Sequence, residues 1–142
     1  FITAEEFKQK IDRGEFLEWA EFSGNYYGTL RRDIEDGLRE GRLMLKEMEV
    51  QGVRQIKEIL SKDDLTIVFV DAGSWDELAK RAMAREPMDE ATLEKRRLRY
   101  EDELTFIPEA DVVIQNLPGK QEDAAMAFEA VIAKAMEGTH HG

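Results

Sequence analysis

The run Leu65-Thr-Ile-Val-Phe-Val constrains the fold more than any other part of the chain. It is apolar and β-branched without alternation, the pattern of a strand covered on both faces. Asp111-Val-Val-Ile-Gln is a second run of the same kind and reads as another buried strand. The segments around these runs carry apolar residues at helical spacing. Strands alternating with helices point to an α/β layered fold with a mostly parallel sheet.

Punctuation residues divide the rest. Thr3 and Glu6 have capping-box spacing and open a helix with Phe7, Ile11 and the Lys10 stem on one face. Gly14 stops it. FLEWAEF is strand-like, and SGNYYGT reads as a turn followed by a short strand. A second helix covers 30–40 and ends at Gly41. Leu43 and Leu45 stand two apart and charged residues follow, which predicts a strand over 42–50; 51–60 is helical. Ser74 and Glu77 form another expected capping box, starting a helix through Arg85. Pro87 interrupts, a helix follows over about 89–103, and Pro118-Gly119 precedes a final amphipathic helix over about 121–136. No repeat, low-complexity tract or linker is visible, and 142 residues suffice for one domain with a core.

Charge narrows the partners. Lys and Arg number 20 against 31 Asp and Glu, a net charge of −11. Non-specific nucleic-acid binding needs a basic surface, so none is expected. A small anion remains possible where a few cations converge. Without cysteine there are no disulfides or thiolate metal sites, which fits a reducing compartment. The longest apolar run, 65–72, is too short to span a bilayer, so no membrane partner is expected. The closing Thr-His-His-Gly reads as a cloning scar or frayed tail, since two histidines lack a third ligand.

Four segments, taken together, resemble guanylate kinase. FLEWAEFSGNYYGT resembles the family's guanine-nucleotide segment. LKEMEVQGVRQIK resembles its acidic strand-turn-helix, SWDELAKRAMAREPMDEATLEKRR its arginine-bearing lid, and DVVIQN its last core strand with the following Asn. They occur in family order over nearly the whole chain. The resemblance implies a P-loop-kinase-like parallel core sheet with helices, a GMP-binding subdomain (about 1–41), core (42–73), a helical lid region (74–103), and core with a C-terminal helix (104–142). It implies that Glu18 reads the guanine edge, that Glu47 is a second acidic group on the base, and that Thr29 contributes a hydroxyl nearby. Tyr27 would donate to the monophosphate. The chemistry is coherent, because guanine presents N1–H and N2–H₂ side by side and one carboxylate can accept both, while adenine offers no such pair. Phe16, Trp19 and Phe22 read as packing residues.

The same resemblance makes Arg81, Arg85 and Arg96 the catalytic lid arginines that clamp ATP phosphates and the transferring group. Arg81 and Arg85 are four apart and share a helix face. The planar guanidinium fork suits phosphate oxygens. Lys95 and Arg99 are expected to pair with helix carboxylates such as Glu94, Glu101 and Glu103. Mg²⁺ is implied as the cofactor arriving with ATP, with Glu49 near the phosphates and a metal-bound water and no direct protein ligand.

There are departures from the family pattern. Glu49 stands where Asp is common, Ala72-Gly73-Ser74 replaces Pro-Pro-Ser, Ala84 and Glu86 replace glycines, and Leu117-Pro118 replaces an acidic pair. The phosphate loop G-x-x-x-x-G-K-S/T is absent: Gly119-Lys120 is followed by Gln121 and reads as a turn. The first core strand and the segment holding the GMP phosphate are missing as well. The expectation is therefore an incomplete record of a cytoplasmic ATP:GMP phosphotransferase, inactive as 1–142 alone. The alternative is a non-catalytic guanylate-kinase-like module that binds phosphorylated protein partners.

Overall fold

The computed structural model describes residues 2–22 and 24–138. The tail 139–142 and the side chain of Phe22 fall outside the described residues. The chain forms two compact units, divided between Thr66 and Ile67.

The first unit begins with α1 (Ala4–Asp12). Its capping box forms as expected: Glu6 N–H donates to Thr3 Oγ1 at 3.2 Å, and Thr3 N–H donates to Glu6 Oε2 at 2.8 Å. The Thr3 backbone bond, then its hydroxyl, hold the Glu6 carboxyl below its ordinary pKa. Gly14 follows the helix at φ 65°, a left-handed conformation that suits glycine. Strands β1 (Phe16–Phe22) and β2 (Asn25–Leu30) then form an antiparallel hairpin. Phe7 of α1 stacks on Phe16 at 4.2 Å and on Tyr26 at 5.4 Å between ring centroids. Helices α2 (Arg31–Arg39) and α3 (Val50–Ile59) complete the unit. Leu17, Ile34 and Ile56 form its core, with Leu38, Met44, Met48, Leu60 and Leu65 packed against them.

The strand expected over 42–50 does not form. Residues 42–49 join no ladder, and Val50 already belongs to α3. The alternation misled because Leu43 and Leu45 face outward. Met44 and Met48 enter the core instead, and the Met44 sulfur lies against Gly37 of α2. Methionine's unbranched, flexible side chain suits such an irregular gap.

The second unit holds β3 (Val68–Asp71), α4 (Trp75–Arg85), α5 (Glu90–Leu104), a 3-10 turn at Ile107–Glu109, β4 (Val112–Gln115) and α6 (Gln121–Gly138). β3 and β4 pair in parallel, from Val68 opposite Val112 to Asp71 opposite Gln115. The parallel sheet expected from the apolar runs is present, but it begins three residues later than Leu65 and is not covered on both faces. Val70 is 50% and Val113 43% exposed, and only Ile114 of the pair is buried. Two strands with α6 against β4 supply only part of the cover that such apolar runs call for.

Helix starts are partly as read. Asp89 caps α5 by accepting from Thr92 N–H at 2.7 Å. Ser74 precedes α4 but makes no side-chain cap bond, so the second capping box is absent. The Glu77 carboxylate lies instead toward Gly73, where an added Cβ would stand 2.9 Å from Oε2. On α5, Arg99 pairs with Glu103 at 2.8 Å, as expected. Arg97, not Lys95, takes Glu94 at 3.2 Å and Glu101 at 3.7 Å. Gly119-Lys120 is a turn before α6, with Lys120 N–H donating to Leu117 O at 2.9 Å.

Candidate functional site

The hairpin register creates the most unusual polar group in the first unit. Phe16 opposes Leu30 and Glu18 opposes Thr29, leaving Leu17 as an extra residue in β1. That bulge switches the side-chain alternation. Phe16 and Trp19 fall on one face, with Glu21 and Tyr26. Glu18 falls on the other, with Thr29 and Tyr27, while Leu17 enters the core. Without the bulge Phe16 and Glu18 would share a face, and one would be misplaced.

Glu18 is 7% exposed and Thr29 4%. Thr29 Oγ1 donates to Glu18 Oε1 at 2.6 Å. Oε2 lies against Gly52 in the first turn of α3, where an added Cβ would stand only 2.5 Å away. Glu18 is in no ion pair among the described residues. Burying a carboxylate without a cation is costly unless donors surround it. Its two oxygens accept about four hydrogen bonds and Thr29 supplies one, so the group retains capacity for further donors.

Gly28 has a different task. An added Cβ would stand 2.9 Å from both Phe16 Cδ1 and Glu18 O. Glycine is needed here so that Phe7 and Phe16 can stack against the β2 backbone.

Tyr27 lies on the Glu18 face of β2 and is 55% exposed. Glu47 is exposed on the extended segment before α3. Its neighbour Met48 packs in the same cluster as Leu17, the neighbour of Glu18, but no hydrogen bond or ion pair joins the two carboxylates to a common group among the described residues. Glu49 is half-buried and is the N-cap of α3, its carbonyl accepting from Val53 N–H at 3.0 Å. Two residues went unselected in the sequence, Gly52 and Gln55. Gly52 lay within the resembling motif; Gln55 had no signal beyond its place there. Trp19, expected as a packing residue, tilts against Tyr26 beside a shallow cleft and is 38% exposed.

In the second unit Arg81 and Arg85 lie on α4 and Arg96 on α5. Arg81 is committed locally: its Nη2 donates to Ala72 O at 2.5 Å and its Nε to Glu77 O at 3.4 Å. Arg85 and Arg96 are exposed, with no ion pair among the described residues. The base of the two helices is stiffened by Tyr100, whose hydroxyl donates to Gly73 O at 3.0 Å and whose ring meets Trp75 at 5.8 Å. No group of three metal-binding side chains gathers among the described residues. No described helix is long and apolar enough to cross a membrane.

Comparison with known proteins bears on these features. The Guanylate kinase family model matches residues 1–135. Guanylate kinase from Streptomyces kasugaensis is 39% identical over 116 residues, covering 82% of this chain and 56% of that protein. Guanylate kinase from Thermosynechococcus vestitus is 36% identical over 132 residues, covering 93% and 67%. A crystal structure of guanylate kinase from Anaplasma phagocytophilum superposes with a TM-score of 0.71 at 27% identity, covering 96% of this chain and 64% of that one. The chain thus spans a little over half to two-thirds of the length of these relatives. A match of this extent, running through the hairpin, the acidic segment, α4, α5 and the last strand alike, assigns the chain to the guanylate kinase family.

Proposed function

We propose that the protein transfers the γ-phosphoryl group of ATP to GMP, giving ADP and GDP, with Mg²⁺ accompanying ATP. The observation that carries this reading is Glu18, a buried carboxylate bonded to Thr29 and lying against a glycine. That group suits the paired N1–H and N2–H₂ donors of guanine. Adenine would bring no matching donors and leave the carboxylate desolvated. Glu47 is the second acidic group on the base. Tyr27, exposed on the same hairpin face, donates its hydroxyl to the monophosphate.

In the transfer, a GMP phosphate oxygen bonds to the γ-phosphorus as the bridging bond to the β-phosphate breaks. The protein's part is in-line positioning and positive charge. Arg85 and Arg96 are the exposed cations for that task. Arg81 contributes from a fixed position, because its guanidinium is tied to the backbone at the start of α4. Mg²⁺ on a nucleotide is held mainly through phosphate oxygens and water, with one or two carboxylates. Glu49 is the carboxylate that would reach such a metal-bound water. The reading makes the protein a cytoplasmic enzyme.

The test is ADP formation by the full natural protein with GMP, AMP or UMP as acceptor. GMP-dependent turnover supports the proposal. Turnover indifferent to the acceptor contradicts it, and GMP binding without ADP formation would favour the non-catalytic module.

Gly52→Ala should separate binding from stability. The new methyl must displace the Glu18 carboxylate, its nearest neighbour. Alanine gains up to about 1 kcal/mol in helix propensity, offsetting a strained Thr29 bond. The melting temperature should therefore move by only a few degrees, while KM for GMP rises about tenfold, the worth of one charged hydrogen bond. Steady-state kinetics alongside thermal melting checks both halves.

A further inference from the structure

The Gln55 side chain is used in a way the proposed chemistry does not require. Its Nε2 donates to Trp19 O at 3.1 Å, and its Oε1 accepts from Trp19 N–H at 3.3 Å. A primary amide presents a C=O acceptor and an N–H donor side by side on one edge. Taking both the N–H and the C=O of one strand residue is what an added strand would do. Here a helix does it, so α3 is tied to the backbone of β1 at a single residue. That residue directly follows Glu18.

Gly52, Gln55 and Ile56 lie three and four apart and share one face of α3. Each meets β1 differently. Ile56 is buried in the cluster with Leu17. Gly52 faces Glu18 Oε2. Gln55 fixes the backbone N–H and C=O of Trp19. Apolar packing alone allows sliding along the strand, because it is non-directional. Two hydrogen bonds to one residue do not.

We infer that Gln55 is a positioning residue for base selection: it sets the register of α3 on β1, and so the orientation of the Glu18 carboxylate between Thr29 and Gly52. The inference rests on the reading of Glu18 as the guanine acceptor. Gln55 itself does not touch the base.

The experiment compares Gln55→Met and Gln55→Ala with wild type in the full natural protein. Methionine keeps the length and apolar bulk and removes both hydrogen bonds; alanine removes bulk as well. GMP is measured against inosine monophosphate, which lacks the N2 amine. In both variants the preference for GMP should fall about tenfold with a matching rise in KM for GMP. The KM for ATP should stay within about twofold, and kcat at saturating GMP should fall less than the GMP preference does, since Glu49 at the start of α3 is held by its own backbone bond from Val53. Hydrogen exchange of the Trp19 amide should quicken, a readout independent of activity.

A purely packing role predicts otherwise, with methionine restoring what alanine loses. That restoration, or a folded Gln55→Met protein with wild-type GMP preference, overturns the inference while leaving the GMP kinase reading intact. If Gln55→Ala does not fold, Gln55→Met decides alone. Wild-type protein without any preference for GMP would overturn the reading and the inference together.

Discussion

Glu18→Gln should reduce kcat/KM for GMP by about a thousandfold in the full natural protein. The substitution keeps the shape and can still accept from Thr29, so the hairpin should survive. It replaces one acceptor oxygen by an NH₂ donor, which then faces guanine donors. Two charge-assisted bonds worth about 1.5–3 kcal/mol each are lost or reversed, and about 4 kcal/mol corresponds to three powers of ten. AMP gains nothing from the carboxylate, so its low rate should change little and the GMP-to-AMP preference should collapse. Acceptor kinetics with both nucleotides measures this. A fall of less than about tenfold for GMP would mean that Glu18 is structural, burying its charge only for the sake of Thr29.

Arg96→Ala should act on the other kinetic parameter. Arg96 is exposed on a fifteen-residue helix and makes no ion pair among the described residues, so its loss should leave the fold unaffected. Its proposed role is to neutralise charge on the transferring group. Arginines serving that role in phosphoryl transfer are worth about 10³–10⁵ in kcat, and sharing the task with Arg85 should bring the loss nearer 10²–10³. KM for GMP should stay within about threefold, because an interaction made only in the transition state lowers kcat without weakening ground-state binding. Equal effects on kcat and on GMP affinity, measured by single-turnover kinetics and calorimetry, would remove Arg96 from the transfer step.

Much of this architecture is legible in the residues because it is written in local chemistry. Thr3 with Glu6, Asp89 before its helix, and glycines at 14, 41 and 119 mark ends that depend on a few neighbouring atoms. The hairpin is legible for the same reason. The misreadings lie where distant packing decides. Leu43 and Leu45 mimic a strand face, but the cluster around Leu17 admits Met44 and Met48 instead. Val70 and Val113 are apolar enough for a covered strand and yet remain half-exposed. Ser74 has capping spacing, but Glu77 turns toward Gly73.

The candidate site divides in the same way. Glu18 and Thr29 could be chosen by resemblance, but not their direct opposition, which depends on an extra residue at Leu17 that no local pattern announces. Gly52 and Gln55 act across thirty-odd residues, on Glu18 and Trp19, and only the docked helix reveals them. The resemblance groups Arg81 with Arg85 and Arg96; its bond to Ala72 O sets it apart.

The central claim is that the Glu18 carboxylate accepts both guanine donors. The most direct measurement is calorimetric titration of GMP and inosine monophosphate into wild-type and Glu18→Gln proteins. The two ligands differ only by the N2 amine, one donor to that carboxylate. Wild type should bind GMP about ten- to a hundredfold more tightly, and Glu18→Gln should bind the two alike. Equal affinities in wild type, or a GMP preference that survives in Glu18→Gln, would contradict the account.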